Sequence, residues 1–181
     1  MTANLRTDLV WLADFLYFIY YKSTNLTGNT NAYPNSTQNL IMHIYIDQSG
    51  KVEYTNKNTV VAYSNSHQKS LVIKAIDKRK IKQIFREAGK PQIFVYKTFA
   101  LLIYLLIKDD LKEIKEITID REYWGREDLI KNFLLQFLRK HKKDFDPKNI
   151  HFALIGKRNP AHKVAIETLR GNKKADTNIG Y

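Results

Sequence analysis

Two aspartates close apolar-alternating runs. Asp47 ends "HIYID" just ahead of Ser49-Gly50, and Asp120 ends "KEITID". A carboxylate in such a place has three uses. It can bond its own backbone two residues on and shape a turn. It can pair with one of the chain's many lysines. It can help hold a cation, provided a second carboxylate stands so near that the two repel when nothing lies between them. Other chemistries have less to stand on. The chain has no cysteine, which excludes disulfides, Cys-ligated zinc and thiol catalysis. His43, His67, His141 and His151 lack the paired spacing of a metal site. "IGKRNP" lacks the leading glycine of a phosphate loop. His162, in "NPAHK", is placed for a contact to a substrate or leaving group, but a plain surface position is the expectation.

The elements that must position these groups can be read from periodicity. In 43–48, Ile44 and Ile46 share one face and Tyr45 and Asp47 the other, as in a strand. Ser49-Gly50 marks a turn, and Val52–Thr55 reads as the returning chain. "TVVAYS" and "SLVIKA" are two more β-rich runs, so the opening reads as an antiparallel meander. A helix capped by Asp77 follows, with Ile81, Ile84, Phe85 and Ala88 on one side and Gly89 and Pro91 to stop it. Residues 92–107 are apolar nearly all round, which predicts a helix buried inside the domain. "KEITID" is a short strand, 127–140 a striped helix, and "IHFALIG" a buried strand. Asn159-Pro160 opens a last helix, with Asn as cap and Pro at the first position. Gly171 ends it, and a polar tail is expected beyond. The order is β-β-β-α-α-β-α-β-α.

Charge divides the chain. The net charge is +12, and residues 1–41 hold only Arg6 and Lys22 against Asp8 and Asp14, so the excess lies in 42–181. Such a balance points to an anionic partner, most simply nucleic acid. Basic residues crowd 74–90 and 148–181. The second cluster includes Lys157, Arg158, Lys163, Arg170, Lys173 and Lys174, all candidates for phosphate contacts. Leu9 to Tyr21 is apolar and aromatic, but it falls short of the roughly 20 residues a membrane helix needs and contains Asp14. A Ser/Thr/Asn-rich tract then leads to Met42, which begins like a second start. The expected organisation is an appended segment, 1–41, followed by a folded domain, 42–181. A cytoplasmic location suits a lysine-rich chain without cysteine.

The element order resembles the ribonuclease-H-like superfamily: a mixed α/β sheet with flanking helices. "YIDQSG" is similar to the "DESG" first-strand opening of small ribonuclease-H-like proteins, with Gln48 in place of the Glu. "ITIDREY" resembles the fourth strand, and "KKAD" the last helical acid, although Asp176 lies past Gly171. The resemblance implies that Asp47 and Asp120 lie side by side and hold Mg²⁺ or Mn²⁺. Glu122, on the same side as Asp120 by strand alternation, and Asp176 would assist, with Glu87 as a further helical candidate. Phosphodiester cleavage must activate water and stabilise a leaving oxygen, which two hard cations roughly 4 Å apart can do. The implied function is a divalent-metal-dependent nuclease acting on RNA or DNA. The alternatives are a catalytically inactive nucleic-acid-binding or assembly protein of the same fold, and a membrane-surface protein anchored through residues 9–21.

Overall fold

A computed structural model describes residues 42–65, 67–142 and 144–179. The expectations for the appended segment and for 9–21 fall outside the described residues. Six strands form one mixed sheet: β1 (Met42–Ser49), β2 (Thr59–Ser64), β3 (Gln68–Ile73), β4 (Ile114–Asp120), β5 (Ile150–Ala153) and β6 (Thr177–Ile179). Their order across the sheet is β5-β4-β1-β2-β3-β6. The meander β1-β2-β3 is antiparallel, while β4 joins β1 in parallel and β5 joins β4 in parallel. Among the described residues, four α-helices accompany the sheet: α1 (Ala75–Glu87), α2 (Phe94–Ile107), α3 (Glu127–Leu138) and α4 (Pro160–Leu169).

Alternation along the strands divides the sheet into two faces. Ile44, Ile46, Val61, Leu71, Ile73, Ile117 and Ile119 point to one side and join Phe85 of α1, Phe99 of α2 and Leu134 of α3 in the main core. Burying side chains of this size contributes roughly 1.5–3 kcal/mol each. As its all-round apolarity implied, α2 lies inside the domain, with everything from Thr98 to Ile107 buried. The opposite side is thinner. There, Val60 and Ala62 meet Val164 and Ala165 of α4.

Four local expectations need correction. Val52–Thr55 is a series of turns and not a returning strand, because the carbonyls of Lys51 and Tyr54 accept from the buried Lys78 amine at 3.1 and 2.9 Å instead of from a neighbouring strand. Helix α1 begins at Ala75 with Lys74 at the cap position, so Asp77 lies in the first turn, where its charge suits the helix N-terminus. The fifth strand stops at Ala153. Beyond it the Ile155 N–H goes to the Asp120 carboxylate at 2.9 Å and leaves the ladder. The polar tail contains β6, which pairs in parallel with the outer edge of β3.

A candidate metal centre on the thinner face

The parallel pairing of β1 with β4 sets Ile46 opposite Ile119. The next residues along the two strands are Asp47 and Asp120, both turned to the α4 side. Gly50 turns the chain just past Asp47. It has φ of 72°, and a Cβ there would lie 2.3 Å from the Asn58 carbonyl oxygen, so glycine is required. Beyond β4 the Glu122 N–H reaches back to the Asp120 carbonyl at 2.9 Å and closes a three-residue turn. Strand alternation therefore does not carry Glu122 to the site; this turn does. Tyr123 pins it in place, its hydroxyl donating to Glu53 at 3.0 Å and accepting from Gln48 at 3.2 Å. One carboxylate oxygen from each of Asp47, Asp120 and Glu122 lies within 4.8 Å of the other two.

Each acid also has a partner in the protein. Asp47 is 2 % exposed, and its Oδ2 meets His162 Nδ1 at 2.8 Å. Against an ionised Asp47, that nitrogen is the donor. Burial pushes the Asp47 pKa up to about 6, against the Gln48 backbone N–H and the His162 charge, which favour the carboxylate; the Asp120 charge adds to the rise. Asp120 accepts the Ile155 N–H through Oδ1. Glu122 pairs with Lys51 at 3.3 Å. Three carboxylates offering hard oxygen donors fit Mg²⁺ or Mn²⁺, and the repulsion between Asp47 and Asp120 is what a bound cation would relieve.

His162 is the residue that sequence reasoning missed. A surface position was expected, but Pro160 and the Asn159 cap, whose Oδ1 accepts the Ala161 N–H at 2.9 Å, start α4 so that its first turn lies over β1. Two expected acids are not brought to the centre. Asp176 precedes a strand rather than sitting in a helix, and its carboxylate accepts the Ser70 N–H and hydroxyl at 2.8 and 2.9 Å. Ser70 pairs with Ala62, which pairs with Asp47, so Ser70 is two strands from Asp47, about 10 Å of sheet. Glu87 is exposed on α1 and accepts from Gln83 at 3.0 Å. It belongs to a helix that packs on the other face of the sheet.

His162, which meets Asp47, also lines an open groove of about 610 Å³ with Gln68, Lys157, Arg158 and Lys163. Lys173 reaches Gln68 at 3.4 Å, on the groove's far rim. Arg170 and Lys174 follow the C-terminal end of α4 and do not line the groove. No helix among the described residues is long and apolar enough to cross a membrane. Compared with protein-family models, curated proteins and solved structures, the chain gives no match.

Proposed function

We propose that the protein is a divalent-metal-dependent nuclease of ribonuclease-H-like type that hydrolyses phosphodiester bonds in RNA or DNA. The observation that carries this reading is the convergence of Asp47, Asp120 and Glu122 at the ends of two adjacent parallel strands. Asp47 and Asp120 would hold Mg²⁺ or Mn²⁺, with Glu122 beside them. When bound, such an ion supplies Lewis-acid polarisation of the phosphodiester and makes water a better nucleophile. The chain's own residues account for the rest. His162 fixes the orientation of the Asp47 carboxylate, as an outer partner does for a metal ligand. Lys51 offsets the charge of Glu122 and is a further cation near the reacting phosphate. Lys157, Arg158 and Lys163 neutralise neighbouring phosphates along the groove.

A second reading is favoured by the same internal partners. His162 already bonds Asp47 and Lys51 already pairs with Glu122, as in a protein that binds nucleic acid without cutting it. A cleavage assay separates the two readings, using labelled single-stranded, duplex and hybrid substrates with Mg²⁺ or Mn²⁺. The nuclease reading expects cleavage that disappears in Asp47→Asn and Asp120→Asn while binding is retained. Binding without cleavage in the unaltered protein would favour the second reading.

A further inference from the structure

The row of side chains next to the acids is unusual for an open sheet face. Tyr45 pairs with Thr118 on β4 and with Ser64 on β2, Thr118 pairs with His151 on β5, and Ser64 pairs with Gln68 on β3. These five residues form a line across the sheet on the α4 side. Tyr45 and Thr118 each lie one same-face step, about 7 Å, from Asp47 and Asp120. The next step adds His43, paired with Glu116. The His43 ring stacks on Tyr45 at 4.6 Å, and its Nε2 lies 2.8 Å from the Thr118 hydroxyl. Tyr45 is 36 % exposed, and the side chains of His43 and His151 are 36 % and 47 % exposed. Helix α4 packs on β1, β2 and β3, and Tyr45 and His43 each keep about a third of their surface open. An aromatic pair held rigid and left open in this way is a stacking surface.

Its charge setting says what would stack there. At one end of the line, Gln68 lines the groove that carries Lys157, Arg158 and Lys163. Glu116, in the row of His43, turns its oxygens to His151 at 2.9 Å and to His43 at 3.6 Å. The surface thus combines exposed rings with a cationic rim, which is the combination that holds unpaired nucleotides. A duplex keeps its base faces stacked inside and cannot offer them to Tyr45. We infer that the open half of this face binds single-stranded nucleic acid, with bases stacked on Tyr45 and His43 and phosphates held by Lys157, Arg158 and Lys163. This deepens the nuclease reading and rests on it for the route from platform to acids. A strand lying along the line of residues is delivered to Asp47 and Asp120 one step away.

The test is fluorescence anisotropy without divalent ions, at low salt. The probes are single-stranded DNA and RNA of mixed sequence, a duplex of the same length, and an abasic strand with the same number of phosphates. Both single strands should bind at least about tenfold more tightly than the duplex or the abasic strand. Tyr45→Ala should lose about tenfold on the base-bearing strands and leave abasic binding unchanged, while Tyr45→Phe, which keeps the ring, should bind like the unaltered protein. Thermal melting confirms that each variant is folded. Duplex binding as tight as single-strand binding, or an unchanged affinity in Tyr45→Ala, overturns the inference. Failure of the nuclease reading looks different: the platform behaves as stated, but Mg²⁺ neither raises the melting temperature nor supports cleavage.

Discussion

The face of the sheet under α1, α2 and α3 is filled by aliphatic and aromatic side chains, whereas the face under α4 is only partly covered and carries a row of acids. Ile46 and Asp47 are neighbours in sequence, and both are buried. Ile46 belongs to the continuous core. Asp47 is held by a histidine and a backbone amide in surroundings that resist its charge. The same strand thus provides stability on one side and a stressed carboxylate on the other. Sites of this kind are assembled where packing is thin enough to admit a ligand and firm enough to fix the ligating side chains.

Substituting the two neighbours one at a time should separate the two roles. Asp47→Asn should bring cleavage below detection while leaving the metal-free protein at least as stable. The sign follows from the shift. The folded pKa of Asp47, about 6, lies above its ordinary value, so the stability associated with the neutral form is lost as pH rises through about 6. Asparagine has no such loss, and melts across that range should show the variant overtaking the unaltered protein. Ile46→Ala should do the reverse, costing about 3 kcal/mol in urea unfolding while leaving the acids in place. His162→Ala should weaken Mg²⁺ binding by about 10- to 100-fold, measured by calorimetry.

Lys78 extends the comparison to a charged group that serves structure. Its amine is buried and donates to Lys51, Tyr54 and Thr59, and so holds the loop that carries Lys51 to Glu122. Lys78→Met should cost about 2 kcal/mol, because those oxygens lose their donor. A smaller effect is its pH signature. Burial lowers the Lys78 pKa to about 8, partly offset by the Glu53 charge. Between there and the ordinary lysine value of roughly 10.4, the unfolded chain binds more protons than the folded one. The contribution of this group to stability therefore rises with pH through that window. Urea unfolding below and above pH 8 should show the rise in the unaltered protein and less of it in Lys78→Met.

Much of the sheet was legible because strand alternation and turn residues are local signals. Asp47 and Asp120 could be picked out because each ends an apolar run, and the meander followed by a parallel strand brings those two ends together. What escaped was set by contacts distant in sequence. Nothing near His162 shows that α4 begins over β1. Nothing near Asp176 shows that the following three-residue strand will pair with β3 and turn the carboxylate onto Ser70. Glu122 was assigned to the right side for an incomplete reason, since a turn after β4 brings it to the acids. Val52–Thr55 reads as a returning strand but forms turns, because the carbonyls of Lys51 and Tyr54 are satisfied by Lys78 from α1, a contact that periodicity cannot reveal.

The proposed function requires Asp47 and Asp120 to share a divalent ion. Crystals grown with Mn²⁺ and measured for anomalous scattering test it directly. A peak in contact with an oxygen of each aspartate and near Glu122 is expected, as is its loss in Asp47→Asn. Crystals that hold Mn²⁺ elsewhere, or show both carboxylates satisfied only by His162 and the Ile155 N–H, would contradict it.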